Sequence, residues 1–272
     1  MRFNPWTALA LVVYHLLALA ALALPWRWEW ALAGLGVFLW AGLGTTVGLH
    51  RLLSHRAFQC PKWLEYFLVT GAATTLQTAP LEWAANHRTH HGYSDKDGDP
   101  HSPRFGVFYA HLGWVIDDLS TDRQAWKVRC KDLANDRYYL ALQKFRFWPH
   151  LALVAVVALT AGWQALPAIV YLPCKVWMHA AYSVNSVCHL PSFGSRGYET
   201  PDTSRNVWWV GLWGLGEGWH NNHHAHPRRA FFGEGWRQPD AGSAFLKLMS
   251  ALGLVWGLRS GARGQAEPEP GQ

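Results

Sequence analysis

Eight of the fifteen histidines fall into three short runs. His50 and His55 lie in HRLLSH, His87, His90 and His91 in HRTHH, and His220, His223 and His224 in HNNHH. Imidazole is the commonest side-chain ligand for transition metals, and several together point to zinc, copper, iron or nickel. Two of the runs share the spacing i, i+3, i+4, which on a helix stacks three rings along one face. A helix that needs only polar surface has no reason to choose three weakly basic rings there. His50 and His55 are five apart, a poor same-face pair, although a helix end or local unwinding could still converge them. Asn185 and His189 are four apart, on one helical face, where the last apolar block ends. A lone histidine there would read as an interfacial group. Its emergence beside the three runs makes it a ninth candidate ligand.

Nine imidazoles exceed the four to six positions of one ion, so two metals follow. A carboxylate-rich di-iron site would need two Glu-x-x-His pairs and two further glutamates. Only Glu217-x-x-His220 fits, which excludes that site as a complete set. Zinc hydrolases use three ligands and an open position, far fewer than here. All-imidazole ligation of two redox irons facing O2 is the most economical account. Asp95, Asp97 and Asp99 follow the second run and could orient imidazole N–H groups, although for Asp95 a solvated acidic turn is the simpler reading.

The elements that position these runs are apolar blocks. The 272 residues have a mean hydropathy of only −0.06, but residues 6–25 and 30–50 each approach the ~20 residues of a membrane-crossing helix. Residues 150–167 and 169–189 make a second pair, separated near Gly162 and Pro167. The segment 63–80 is apolar but carries Glu65 and Gln77, so it reads as an interfacial or half-buried helix. Four crossings put every histidine run on one side. The expected fold class is therefore an all-α membrane protein, a single domain over 1–260. Four transmembrane helices carry a histidine-rich helical cap of 51–149 and 190–260, and 261–272 form a disordered tail.

Of 24 Lys and Arg, 13 lie in 51–149 and 8 in 191–272, which makes the histidine face and both termini cytoplasmic, as in a bacterial inner membrane. Trp26, Trp28, Trp30 and Trp148 stand where an aromatic belt would. The net charge of +6 faces membrane lipids and partners, since no basic stripe with interleaved aromatics suggests nucleic acid. The first apolar run is too long for a signal peptide and leads into another span, so it is expected to be retained. Cys60, Cys130, Cys174 and Cys188 show no paired spacing and are expected as thiols.

The order HRLLSH, HRTHH followed by DGDPH, NSVCH, and GEGWHNNHHAHP closely resembles the membrane-bound fatty acyl desaturases, specifically the Δ9, stearoyl-CoA desaturase-like type. The resemblance runs from about Gly44 to Gly257. It implies four transmembrane helices under a cytoplasmic cap and two iron ions. The implied ligands are His50, His55, His87, His90, His91, His189, His220, His223 and His224, with Asn185 reaching an iron through water. It also implies O2-dependent insertion of a cis double bond at Δ9 into a saturated C16–C18 acyl-CoA, with an acyl-lipid as the alternative carrier. Trp83 matches a position flanking the family's second histidine run, and Gln77 and Arg88 are candidate substrate contacts beside it.

Acyl-CoA members carry Arg-Asp before the second run where this chain has Ala85-Asn86. That departure weakens the inference about the CoA head group. No HPGG-type haem segment appears, so electrons must come from an external donor: a ferredoxin, a cytochrome b5 or a reductase. Histidine-rich alkane and carotenoid hydroxylases share the spacing but lack the Asn185–His189 element. A metal transporter would instead spread ionisable residues along a path through the bilayer. His15, His101, His111, His150, His179 and His226 remain as interfacial or packing groups, with His101 placed nearest the site.

Overall fold

The computed structural model describes residues 1–120 and 122–260; the expected tail of 261–272 lies outside them. Among the described residues every element is helical, and β-pairing is limited to isolated bridges such as Phe3 with Asp117 and Gln59 with Trp256. Helix α1 spans Pro5–Leu19, with Asn4 as its N-cap and proline in its first turn. With a short 3-10 extension it forms a rod, Pro5–Ala23, of 19 residues and mean hydropathy 2.0. Only 6% of it is buried, so it is apolar all round and unpartnered over most of its surface, as a lipid-facing helix would be.

Helix α2, Trp28–Leu43, does not end at Leu43 but continues as a π-helix over Gly44–Ser54. The combined rod of 27 residues has mean hydropathy 1.6, and all eleven residues of its π-helical end are buried. These two rods are long and apolar enough to cross a membrane. The other two expected spans are less simple. Helix α3 covers Lys62–Ala73, α4 Pro80–Tyr93, α5 Val107–His111, α6 Trp126–Arg129, α7 Arg137–Lys144 and α8 Trp148–Ala161. Helices α7 and α8 pass the membrane criterion only together, with a 77° bend between them. The fourteen residues of α8 give about 21 Å, short of the ~30 Å hydrocarbon core.

The break after α8 falls at Gly162, the first of the two expected positions, because Gly162 takes φ +86°, a left-handed conformation that ends the helix. The chain then resumes as a π-helical turn, Pro167–Tyr171, and α9, Leu172–Ser186. Lys175 and His179 lower the hydropathy of that last segment.

The segment expected as half-buried is so. Trp63 and Phe67 of α3 are exposed, whereas Leu64 and Leu68 are buried against Val47, Leu49 and Leu52 of the π-helix. Gly71 permits the approach of α3 to α2, since a Cβ there would sit 2.6 Å from Trp40. The carbonyl of Thr74 accepts a hydrogen bond from His150 Nδ1 at 2.7 Å, tying the end of α3 to α8. Helices α10 (Trp208–Trp213), α11 (His220–Ala225) and α12 (Ala241–Ala251) follow, and Leu246 of α12 joins the core around the π-helix. All four cysteines are thiols.

Candidate metal centre

The π-helix solves the problem of five-residue spacing. Its hydrogen bonds run from i to i+5, so residues five apart stack as residues four apart do in an α-helix. His55 N–H donates to His50 O at 3.2 Å, and the two rings lie 5.1 Å apart. Arg51 locks this stretch: it is fully buried, donates to Ala230 O at 3.0 Å and to both Asp240 oxygens at 3.1 Å, and covers the Phe232 ring at 3.6 Å. Helix α4 carries HxxHH but splits it. His87 and His91, four apart, turn toward His50 and His55, while His90 turns away. Helix α11 splits its own run the same way, with His223 on one side and His220 and His224 on the other.

Two nests result. The first gathers His50, His55, His87, His91 and His223; the second gathers His90, His189, His220 and His224; in each, ligand nitrogens lie within 4.8 Å of one another. In the first, the Nε2 separations are 2.9 Å for His50–His223, 2.9 Å for His91–His223 and 2.7 Å for His55–His87. In the second they are 3.0 Å for His189–His220 and 3.3 Å for His90–His224. Imidazole–metal bonds of about 2.1 Å at right angles place neighbouring nitrogens about 3 Å apart, so both nests fit a metal ion.

The remaining ring nitrogens show how the rings are aimed. Four imidazoles donate Nδ1–H to a carboxylate: His50 to Glu217 at 2.6 Å, His90 to Asp99 at 3.0 Å, His189 to Asp95 Oδ2 at 3.2 Å, and His224 to Asp202 at 2.8 Å. Such pairs fix the tautomer, leaving Nε2 for metal, and raise ligand basicity. Asp95 is therefore no solvated turn. Asp202 and the orienting role of Glu217 were not legible from spacing, since Asp202 precedes its partner by 22 residues and lies in no histidine run.

Electrostatics favour neutral, ligating rings. Burial, followed by neighbouring imidazoles, holds His87, His91, His220 and His223 well below the ordinary histidine value, and His55 likewise. Burial also depresses His224, to about 4, against the opposing pull of Asp202. His90 is the exception. Burial opposes its charge, but Asp99, Asp95 and Asp202 outweigh that and raise it. Burial works against the charge of Asp95 as well, yet His189 and Thr203 bring it down to about 2.

Beside the first nest lies a cavity of about 50 Å³ lined by Gln77, Trp83, His87, Tyr182 and Asn185 among others. Trp83 stacks on His87 at 5.2 Å with a 15° interplanar angle, and buried Gln77 Nε2 has no hydrogen-bond partner. Arg88 is placed differently from its expected role. It is buried, pairs with both oxygens of Asp132 at 2.8 and 3.0 Å, and donates to Leu53 O at 2.7 Å and Ser54 O at 3.0 Å. It caps the last carbonyls of the π-helix and so supports the turn that carries His55.

His101 packs against His90 at 4.5 Å between ring centres. His15, His179 and His111 form a separate chain, with nitrogens 2.9 and 3.0 Å apart, that ends on Ser186.

Two helices long and apolar enough to cross a membrane, together with two buried groups of imidazoles that could each hold a metal ion, define the class of this helical protein. The fatty acid desaturase family model matches residues 25–233, and the chain belongs to that family. It is 41% identical to an sn-1 stearoyl-lipid 9-desaturase of Anabaena variabilis over 79% of this chain and 78% of the relative. It is 36% identical to an sn-2 palmitoyl-lipid 9-desaturase of Nostoc sp. (strain 36), covering 89% and 86%. The Delta-9 acyl-lipid desaturase 1 of Arabidopsis thaliana is also 36% identical, covering 80% and 72%.

Proposed function

We propose that this chain desaturates saturated C16–C18 acyl chains at Δ9 while they are esterified in membrane lipid. The carrying observation is the pair of imidazole nests with a small, partly aromatic cavity against His87. Irons held there would supply the O2-dependent oxidation that removes two hydrogens. The balance is CH2–CH2 plus O2, two electrons and two protons, giving a cis CH=CH and two waters. The electrons come from an external donor.

The chain's own residues contribute confinement. Trp83 and Tyr182 wall the cavity, and their rings restrict water around the carbons being oxidised. How far an acyl chain penetrates past them would set the double-bond position. Asn185, four residues before His189, lines the same cavity and is suited to hold a water beside a metal position.

The ester-linked carrier is preferred on charge. A cleft of about 700 Å³ shares Asn86 with the cavity, and its charged side chains are Asp99, Asp117, Asp122 and Arg129. The N-terminal Met1 also lines the cleft and Asp99 is taken up by His90, which leaves Asp117 and Asp122 beside the single guanidinium of Arg129, a poor cradle for the several phosphates of CoA; Arg88 is committed to Asp132. The relatives named above act on lipid-linked chains, which agrees. For the membrane arrangement we propose four crossings, with the bent α7–α8 pair and Pro167–Ser186 as the last two. The histidine face and both termini are cytoplasmic, on the asymmetry of Lys and Arg.

The test is expression in cells fed isotopically labelled stearate, with lipid classes and double-bond positions resolved by mass spectrometry. Cis-9 label should appear first in phospho- or glycolipid, and His90→Ala should abolish it. Label unsaturated first in the acyl-CoA pool would replace the carrier assignment, and hydroxylated products would replace the reaction.

A further inference from the structure

The loop 201–204 holds no ligand, yet two consecutive residues in it reach two ligands of the same nest. Asp202 Oδ2 accepts from His224 Nδ1 at 2.8 Å. Thr203 is exposed, but its N–H and its hydroxyl donate to Asp95 Oδ2 at 2.6 and 2.7 Å, and the hydroxyl also reaches His189 O at 3.0 Å. Asp95 in turn accepts from His189 Nδ1. Its backbone sits at φ +59°, a conformation uncommon for residues other than glycine, so it needs outside support. Asp95 N–H closes the network by donating to Asp99 Oδ2 at 3.0 Å, and Asp99 accepts from His90. Three of the four ligands of one nest are thus tied together behind their rings. Glu217, by contrast, supports His50 of the other nest.

We infer that this loop is a strut for one metal position only, and that Thr203 is a positioning residue acting through Asp95 on His189. The inference rests on the two-metal reading above. Exposed substitutions ordinarily have small effects, so a threonine at the surface that governs metal retention is a distinctive claim. Removing the hydroxyl releases Asp95, which frees the His189 ring to rotate and weakens one ligand. Loss of such outer support typically costs about 10–100-fold in metal affinity.

The experiment uses full-length protein loaded with 57Fe and challenged with graded chelator. Iron per chain and Mössbauer doublets are followed, with unfolding temperature as a fold check. Thr203→Val should release one iron at about tenfold lower chelator, at the low end of that range, and leave one doublet intact. Asp202→Asn should release the same iron, Thr203→Ser should behave as wild type, and Glu217→Gln should affect the other doublet. Thr203→Val indistinguishable from wild type, or both irons leaving together, overturns the inference while leaving the two-metal reading standing. A wild-type protein that takes up a single iron overturns both. Should Asp202→Asn fail to fold, the Thr203 pair alone decides.

Discussion

The two nests hold the same side chain at similar depth, but their frames differ. In the first, His50 and His55 ride on a membrane-length rod whose π-helical end is buried throughout, and backbone hydrogen bonding sets their convergence. In the second, the ligands come from three short or terminal pieces: α4, the turn after α9, and α11. Carboxylates behind His90, His189 and His224 do there what a long helix does in the first. Both nests share α4 and α11, but the first adds a long helix with one carboxylate behind His50, and the second adds three carboxylate pairs. Packing defects should therefore damage the first most, and loss of single hydrogen bonds should damage the second.

Arg51 offers the largest break. Replacing it with Met leaves Asp240 and Glu217 as buried charges without their cation, which costs about 3–5 kcal/mol in comparable cases. Chemical unfolding of the detergent-solubilised protein should show that loss. The five-imidazole nest, mounted on the same turn, should bind metal poorly in whatever fraction folds.

Acid should sharpen the comparison more gently. Metal-free protein buries neutral His87, His91, His220 and His223, which take up a proton near pH ~6.5 once unfolded. Below that pH the unfolded chain binds more protons, so stability falls as pH falls, by about 1.4 kcal/mol per unit for each such ring. Little change is expected between pH 8 and 7, and a steep decline between 6.5 and 5. His90, raised by Asp99, offsets part of it. Unfolding of chelated protein across this range checks the sign; stability rising on acidification would mean that these rings are not buried neutral.

The smallest effect is expected from His15→Ala. His15 contacts His179 and lies in α1, outside both nests, so desaturation rate in membranes should stay within about twofold, consistent with a site away from special features. A large loss would attach the His15–His179–His111 chain to the centre.

The nine histidines that gather in the two nests were legible because candidate metal chemistry writes itself in residue type, and i, i+3, i+4 spacing is local. It did not assign them to nests. HRTHH and HNNHH read as three rings on one face, whereas the structure sends the middle ring of the first run and the outer pair of the second to the other metal position. That division depends on how α4 and α11 meet, which is tertiary. The π-helix was invisible for a related reason. GTTVGLHRLLS is an ordinary helical string, and its register is set by Arg51 bridging to Ala230 and Asp240, far along the chain. Asp202 left no signal because its partner is brought to it by a loop. The membrane spans were legible where hydropathy is unbroken and blurred where Lys175, His179 and Gly162 interrupt it.

The most direct test of the account is anomalous diffraction at the iron edge on crystals of iron-loaded protein. Two separate iron peaks are expected, one ringed by His50, His55, His87, His91 and His223 and the other by His90, His189, His220 and His224. A single peak, or an iron bound directly by Glu217, Asp95 or Asp202, would contradict it.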